Sequence, residues 1–527
     1  MESENKPSGL LLTIKASIVS GMTFLSRLLG LVRDIVFAQV FGAGLLMDAF
    51  LVAQRIPNML RRFFAEGAFS AGFIPVLARY KEGHSEAEAQ AYVGSMAGTF
   101  AIVLFVVTAI GVVGSAALVV VVAPGFVGDG GDFDLAALML KFTFPYLLFV
   151  SLTAFAGGVL NTYGKFAIPA FTPVILNVVL ITAAVWVAPL LDEPVMALAY
   201  GVLVAGILQL LFQLPFLAQI KMLVRPRWAP RHDGVRRAFR LMLPAIFGSS
   251  VAQINVLLSG IIASLLPIGS ISYLYYSDRL MEFPLGLFGI ALATVTLPYL
   301  SRLWASEERH NFTATLDWSM RIATLIAVPA ALGLFLLAGP LVATLFYGGE
   351  FDQKSVRMTT LALQAYSAGL VGFSFVKVLA PAFFAREDTR TPVRIGIIAL
   401  AVNLVLGVSA AWYMTHAGFE GPHVALAAAT SVAAVLNAGL LLRRLRREGV
   451  LDGTQNWGAF LVRVLLGNAA MWGVLAALAR APEWWLSTSI GGRITWLAVS
   501  VVAGASAYFV VLLLLGMRPS QFRLRSN

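Results

Sequence analysis

Residues 101–122 read AIVLFVVTAIGVVGSAALVVVV, a run of 22 residues without a charged side chain. A helix needs about 20 apolar residues to cross the hydrocarbon core of a bilayer, so this stretch predicts a transmembrane helix. The whole chain has the same character, because hydrophobic residues make up 59% and charged residues only 12% of its 527 positions. Soluble domains carry about 25% charged residues. These values argue against an ordinary soluble enzyme and predict an all-α polytopic membrane protein.

Thirteen further stretches have the length and apolar content of a membrane-spanning helix, so the sequence predicts fourteen transmembrane helices. Their approximate ranges, in order, are 10–41, 48–78, 92–122, 135–160, 166–188, 195–220, 241–266, 270–300, 313–346, 355–385, 392–414, 421–442, 457–479 and 490–516.

The basic residues support this count. Of the 38 lysines and arginines, 26 fall in the two tails or in gaps that follow an even-numbered segment, and only five fall in or beside the other gaps. Membrane proteins concentrate Lys and Arg in their cytoplasmic loops. Both termini are therefore predicted to be cytoplasmic.

Composition also narrows the chemistry. The formal net charge of +11 is explained by this cytoplasmic excess of basic residues, so no nucleic acid partner is expected. The chain has no cysteine and five histidines, which excludes thiolate metal sites and disulfides and argues against a histidine-rich metal site. It contains no Walker A motif, nucleophile elbow or HExxH motif. We expect no metal, no cofactor and no enzymatic activity.

Two pairs of short motifs indicate an internal duplication. The segment 73–80 (FIPVLARY) resembles 296–303 (TLPYLSRL) at an offset of 223 residues, and Thr-Pro-Val at 172–174 recurs at 391–393 at an offset of 219. Six spans separate the copies, so both copies have the same orientation. This predicts a parallel repeat about a pseudo-two-fold axis along the membrane normal.

The repeat predicts three parts of the chain. Residues 1–225 form a six-helix lobe, residues 226–450 form a second six-helix lobe, and residues 451–527 carry two extra transmembrane helices. A substrate path between the two lobes is the expected arrangement.

Seven basic residues lie inside the apolar spans, where one charge at the bilayer centre costs roughly 2.5–3.5 kcal/mol. These residues are Arg27, Arg33, Arg55, Arg61, Arg62, Arg279 and Lys377. At 100° per residue, Arg27 and Asp34 share one face of the first span, whereas Arg33 points elsewhere unless Gly30 breaks the helix.

Two other spans carry polar stripes. In the second span, one stripe about 80° wide on a helical wheel contains Asp48, Arg55, Asn58, Arg62 and Glu66. In the eighth span, one face contains Ser272, Tyr276, Arg279 and Glu282, flanked by Asp278. Internal ion pairing between these acids and arginines is one explanation. The other is a wet cavity of net positive charge, in which the planar fork of arginine binds phosphate, and a diphosphate ligand would suit it.

Three blocks of sequence closely resemble the MurJ (MviN) family of lipid II flippases. The first is 26–34 (SRLLGLVRD) followed by 41–44 (FGAG), 48–50 (DAF) and 55–70 (RIPNMLRRFFAEGAFS). The others are 275–286 (YYSDRLMEFPLG) and 377–386 (KVLAPAFFAR). The likeness extends over essentially the whole chain.

The resemblance implies the fold of the MOP exporter superfamily, with two six-helix bundles and a C-terminal helix pair that lines a groove for a polyprenyl tail. It also implies a set of central cavity residues. In this sequence they are Arg27, Arg33, Asp48, Asn58, Arg61, Ser272, Arg279 and Glu282, with Arg62 as a neighbouring candidate. Candidates for ion pairing or gating are Asp34, Arg55, Glu66, Asp278 and Lys377. Coupling to the membrane potential or to a monovalent ion is expected, without residues assigned to an ion.

The expected function is therefore that of a flippase in the bacterial inner membrane. It would move lipid II, a polyprenyl diphosphate-linked disaccharide peptide, from the cytoplasmic to the outer leaflet by alternating access. Membrane lipids, cell-wall polymerases and division proteins are the candidate partners. Three alternatives remain open: a flippase for another polyprenyl-linked oligosaccharide, a cation-coupled exporter of the same superfamily, and a membrane-embedded glycosyltransferase.

Overall fold

The computed structural model describes residues 9–64, 67–128, 132–451 and 457–518. Within these ranges the chain is helical and has no β-strand beyond one isolated bridge between Gly348 and Phe351. It divides into two compact units, Met1–Ile268 and Gly269–Asn527. The predicted all-α class is confirmed. Glu66, one of the candidate gating residues, lies outside the described residues.

The first unit contains ten α-helices among its described residues. They are α1 (Gly9–Phe41), α2 (Leu45–Phe64), α3 (Gly67–Gly83), α4 (Glu86–Val113), α5 (Ser115–Val122), α6 (Phe133–Thr143), α7 (Tyr146–Thr162), α8 (Ala167–Thr182), α9 (Met196–Gln219) and α10 (Asp233–Ser264). The described part of the second unit contains nine. They are α11 (Ser270–Ala305), α12 (Arg309–Leu336), α13 (Ala338–Leu345), α14 (Gln353–Phe384), α15 (Arg390–His416), α16 (Val424–Arg447), α17 (Trp457–Ala477), α18 (Pro482–Ser487) and α19 (Ile490–Leu514).

Ten helical segments of the described chain are long and apolar enough to cross a membrane. They match ten of the fourteen predicted spans. The other four predicted spans correspond to α1, to α2 with α3, to α10 and to α11, which are the helices that carry most of the internal charges. The described helices have the length and composition of a multi-pass membrane protein, and the count of fourteen spans stays a prediction.

Several predicted spans are interrupted in the structure. The second span is described as α2 and α3, on either side of residues 65–66. The third and fourth are divided at Gly114 and near Pro145, and the ninth is divided at Leu337. Proline cannot donate a backbone hydrogen bond, which favours a break at Pro145. A hydropathy profile alone does not detect such breaks, because the residues on both sides are uniformly apolar.

Polar side chains at the helix starts show why the helices begin where they do. Ser85 accepts a hydrogen bond from the backbone N–H of Glu88, and the Glu88 carboxylate accepts one from the Ser85 N–H at 2.9 Å. This reciprocal capping box satisfies two backbone donors at the start of α4. Asp132 caps α6 and Asp352 caps α14. Each does so more simply, because only its own side chain accepts a hydrogen bond from a backbone N–H of the first turn.

The segment 222–229, here called the strap, is an extended stretch between α9 and α10. It lies on α4, where the Arg227 N–H donates to the Gly94 carbonyl at 2.8 Å and the Ala229 N–H donates to Thr99 Oγ1 at 3.2 Å. A side chain at Gly98 would overlap the backbone of Arg227. The GxxxG spacing of α4, which commonly lets two helices approach, here admits an extended chain instead.

Helix α10 follows the strap and packs within the first unit, mainly on α3. Gly72 allows this approach, because a side chain there would collide with Met242 and the Ala238 carbonyl of α10. The compact units therefore part at Ile268, whereas the sequence repeat suggests a boundary near residue 225. The three-part division of the chain stays a prediction, since it was defined by the repeat and not by packing.

The C-terminal helices α17 and α19 pack on each other and are fastened to α12 and α13 in the second unit. At one end, Asp317 of α12 accepts hydrogen bonds from Trp457 Nε1 and Arg321 Nε, both at 2.7 Å. Between the ends, the Tyr508 hydroxyl donates to the Leu325 carbonyl at 2.8 Å. At the other end, Arg493 donates to the Ala343 carbonyl at 3.2 Å. The pair is thus attached along its length.

Candidate functional site

The first group of candidate residues joins α1 to α8. The Arg33 guanidinium contacts Asp34 Oδ1 at 2.7 Å through Nη2 and donates to Asn177 Oδ1 at 3.0 Å through Nη1. Asn177 in turn donates to the Ser26 carbonyl at 3.0 Å. Asp34 is almost completely buried, so the Arg33–Asp34 pair holds its charges inside the unit. Arg27, on the same helix, is exposed.

The second group is the polar stripe of α2, which faces α10. Arg62 Nη1 donates to Gln253 Oε1 at 3.1 Å, and the guanidinium of Arg55 occupies the space that a side chain at Gly260 would take. The two contacts are seven residues apart on both helices and run in opposite directions. Helix α10 therefore lies antiparallel along the stripe, with two heptad-spaced contacts.

Arg55 has the least satisfied polar group of the α2 stripe. Its Nη1 atom is buried and has no hydrogen-bond acceptor among the described residues. Asp48, also buried, attracts the charge electrostatically. A buried cationic donor without an acceptor is costly, because the desolvation of the group is not repaid. Such a group is suited to a ligand that supplies anionic oxygens.

The remaining α2 candidates are more open. Asn58 and Arg61 are half-buried, and Arg62 is exposed apart from its bond to Gln253. The stripe therefore runs from a buried acid near the start of α2 to an exposed arginine near its end. Arg62 is therefore accessible at the end of α2, whereas Asp48 and the Nη1 atom of Arg55 are buried.

The third group lies on α11 in the second unit. Arg279 Nη1 contacts Glu282 Oε2 at 3.2 Å, and its guanidinium lies 5.1 Å from the ring centroid of Tyr275. The side chains of Arg279 and Glu282 are 42% and 52% exposed, so this pair is solvated. Ser272 is completely buried. The predicted face thus has a buried start and an open end.

Two further candidates of the second unit are Asp278 of α11 and Lys377 of α14. Asp278 acts electrostatically on Tyr366 of α14, and Lys377 is half-buried on the same helix. The structure therefore gathers Arg33 with Asp34, Asp48 with Arg55, and Arg279 with Glu282. The prediction that the groups of the two units line one cavity stays a prediction.

Some residues of these groups escaped the sequence analysis. Asn177, Gln253 and Gly260 receive the arginines of α1 and α2, yet each is a single polar or small residue in an apolar segment. A search for isolated amides inside the spans would have found the first two. The sequence gives no comparable indication for Gly260, because only the packing shows that its lack of a side chain makes room for the Arg55 guanidinium. Within the described chain, no group of three His, Cys, Asp or Glu residues could hold a metal ion.

An all-helical multi-pass chain with desolvated arginines on internal helix faces has the features of a membrane transporter for an anionic substrate. Comparison with known proteins narrows this class. A family model described as "Lipid II flippase MurJ" matches residues 37–490. A Vibrio cholerae protein named "Probable lipid II flippase MurJ" is 46% identical over 95% of each chain. The chain belongs to the MurJ family of lipid II flippases.

Solved structures agree with this assignment. A structure titled "Lipid II flippase MurJ, inward closed conformation" aligns with a TM-score of 0.77 and 26% identity, covering 94% of this chain and 97% of the other. An inward-facing MATE family transporter of the MOP superfamily aligns with a TM-score of 0.66 and 15% identity, covering 84% of this chain and all of the other, which shows a shared fold. The sequence-based resemblance and the expectation of a transporter rather than an enzyme are confirmed.

Proposed function

We propose that this chain moves lipid II across the bacterial inner membrane, with its arginines holding the diphosphate of the headgroup. Membership of the MurJ family over nearly the full chain supports the substrate. The buried Nη1 of Arg55, which lacks an acceptor among the described residues, supports an anionic ligand close to α2. A diphosphate offers several charged oxygens in the planar arrangement that guanidinium groups bind best.

The proposed binding set combines residues from both units. It consists of Arg27, Arg33, Asp48, Asn58, Arg61, Arg62, Ser272, Arg279 and Glu282, with Asp34, Arg55, Glu66, Asp278 and Lys377 as candidates for pairing or gating. The exposed Arg279–Glu282 pair is suited to release its arginine, since an exposed ion pair contributes little stability. The acidic residues of this set limit its net positive charge, so that the site binds the substrate and then releases it.

Transport is proposed to follow alternating access by two six-helix lobes, residues 1–225 and 226–450, related by a parallel repeat. Residues 451–527 would form a groove for the lipid tail, while the disaccharide peptide fills the cavity. We further propose fourteen membrane spans and cytoplasmic termini, because the basic residues alternate between successive loops.

The energy source is proposed to be the membrane potential or a gradient of a monovalent ion. Moving one elementary charge across the membrane is worth about 2.3 kcal/mol per 100 mV. No residues are assigned to an ion. Membrane lipids surround the chain in this proposal, and cell-wall polymerases or division proteins remain candidate partners.

The test is the exposure of lipid II at the outer leaflet of cells depleted of this protein, reported by an externally added enzyme that cleaves only exposed lipid II. Wild type is expected to restore cleavage, and Arg27→Ala and Arg279→Ala to lower it about tenfold or more, because a charge-assisted hydrogen bond is worth about 1.5–3 kcal/mol. Arg357→Ala, which removes an exposed pair with Glu420, is the matched control.

Two results would contradict the proposal. If depleted cells without a redundant flippase still expose lipid II, the substrate is wrong, and another polyprenyl diphosphate-linked oligosaccharide becomes the leading candidate. If depletion blocks exposure but the arginine variants behave like Arg357→Ala, lipid II transport stands and the arginine site is wrong.

A further inference from the structure

The cytoplasmic end proposed for α16 carries a cleft that the transport site does not use. It has a volume of about 350 Å³ and is lined by Gly439, Leu442, Arg443, Arg446 and Arg447. These positions are spaced at 3, 4, 7 and 8 residues from the first, so they form one face of the helix. Gly439 forms the floor, and a side chain built there would meet nothing within 4 Å.

The three arginines of the cleft are exposed and pair with no carboxylate among the described residues. The neighbouring acid, Glu448, is already engaged, because it accepts from Arg386 at 2.8 Å and from Arg444 at 2.5 Å. Arg444 lies outside the lining of the cleft. The cleft therefore concentrates three positive charges that its own surroundings do not neutralise.

An apolar path leads into this basic end. On the same face of α16, Val435 and Val432 are 52% and 51% exposed, and the helix is one of the candidate membrane spans. An amphiphile could lay an acyl chain along these valines and Gly439 while its headgroup meets the arginines. The C-terminus of α16 contributes about half a negative charge, which three guanidinium groups outweigh.

We propose that this cleft binds an anionic phospholipid of the bilayer, with the phosphate on Arg443, Arg446 and Arg447 and the adjoining chain over Gly439. Each Lys or Arg near an anionic membrane surface strengthens the attraction about fivefold, so three residues on one face together strengthen it roughly a hundredfold. The inference does not rest on the proposed transport function, because the cleft lies on a different helix from the candidate substrate residues.

The test uses the full-length protein in nanodiscs of phosphatidylcholine with a minor fraction of phosphatidylglycerol. After transfer to detergent, the number of retained phosphatidylglycerol molecules is measured by native mass spectrometry. The triple variant Arg443→Gln/Arg446→Gln/Arg447→Gln is expected to bind phosphatidylglycerol roughly a hundredfold more weakly than wild type and to retain little of it, because three surface attractions are lost together. The control, Arg236→Gln/Arg237→Gln/Arg240→Gln, removes the same charge from exposed positions of α10 and should stay close to wild type.

Gly439→Leu distinguishes lipid binding in the cleft from diffuse electrostatic attraction to the arginines, because it fills the floor of the cleft without changing the charge. It has room to fold, and its thermal unfolding should match wild type. Loss of retained lipid in this variant supports the site. Equal retention in Gly439→Leu and wild type, or equal losses in the two triple variants, would overturn it.

Two competition arms identify the ligand. Inorganic phosphate should not displace the retained lipid, since it lacks the chain that covers Gly439. Displacement by millimolar phosphate would show that the arginines bind phosphate alone and would overturn the lipid assignment. Displacement by lipid II at stoichiometric concentration would assign the cleft to the substrate and would also overturn it.

Discussion

The two units treat their internal arginines differently. In the first unit, Arg33 and Arg55 are withdrawn from solvent and contact distant helices, α8 and α10. In the second unit, Arg279 pairs with Glu282 one turn away on its own helix, and both side chains are about half exposed. Breaking a buried ion pair such as Arg33–Asp34 is strongly destabilising, whereas exposed pairs add little stability. We therefore expect the buried arginine contacts of the first unit to stabilise the fold, and the exposed Arg279–Glu282 pair to contribute little to stability.

The sharpest test of this difference is Asp34→Ala. It leaves Arg33 without its carboxylate in a nearly buried position, and breaking a buried pair in this way costs about 3–5 kcal/mol. We expect a loss of about 3 kcal/mol in unfolding free energy, measured by denaturant titration in detergent. The double variant Arg33→Met/Asp34→Leu should recover most of it. A loss below 1 kcal/mol for Asp34→Ala would show that the Arg33–Asp34 pair contributes as little to stability as the exposed Arg279–Glu282 pair.

The second unit has a buried ionisable group of its own, but it lies in a helix cap and not on the polar face of α11. Burial lowers the pKa of His423 from 6.5 to about 4, although its bond to the Met358 carbonyl at 3.1 Å acts in the opposite direction. The folded state therefore binds the proton more weakly than the unfolded chain. The stability that depends on a neutral His423 is fully present above pH 6.5 and is lost as the pH falls towards 4. The loss is about 3 kcal/mol, because a shift of one pKa unit corresponds to 1.36 kcal/mol.

This loss should appear first in the second unit. Fluorescent probes on single cysteines, placed in either unit of this cysteine-free chain, would report which one loosens between pH 6.5 and 4. His423→Phe should flatten the pH dependence, because no proton can then be bound at that position. An unchanged pH profile in His423→Phe would exclude His423 as its source.

A smaller effect is expected from Trp457→Phe. The substitution keeps the ring beneath Arg321 and removes only the N–H that donates to Asp317. A hydrogen bond to a charged group contributes about 1.5–3 kcal/mol, so we expect about 2 kcal/mol of destabilisation. Trp412→Phe, at a position 63% exposed on α15, is the control. Equal effects of the two variants would mean that the bond to Asp317 does not hold α17 on α12.

The smallest effect on stability is expected from Glu282→Gln. The Arg279–Glu282 pair is exposed, and such pairs contribute about 0–1 kcal/mol. Unfolding free energy should change by about 0.5 kcal/mol or less, while outer-leaflet exposure of lipid II in cells falls. A loss of stability comparable to that of Asp34→Ala would show that both units use their polar faces for folding.

The sequence predicted the polar faces better than it predicted their partners. The helical period placed Asp48, Arg55 and Arg62 on one stripe of α2, and the structure places Arg55 and Arg62 against α10. The wheel did not predict that Arg33 pairs with Asp34, because neighbouring residues lie 100° apart and a long arginine side chain can still reach back. The receiving residues Gln253 and Gly260 lie on another helix, and no local pattern connects them to α2.

Helix boundaries failed for a related reason. Hydropathy averages over a window, so it passed through the breaks near Gly114 and Pro145. The repeat predicted two lobes from sequence similarity, but the packing of α10 depends on Gly72 and on the strap, which carry no repeat signal.

The strap has a consequence for how the chain could be cut or recombined. The glycine face of α4 is covered only after residues 222–229 have been synthesised, and α3 receives its main packing partner only when α10 follows. A fragment that stops at residue 225 would lack the strap residues that contact Gly98 and Thr99 of α4 and the whole of α10, while one that continues to Ile268 retains both. Chimaeric proteins made from two related chains should therefore be joined after α10, and not at the boundary near residue 225 that the duplication suggests.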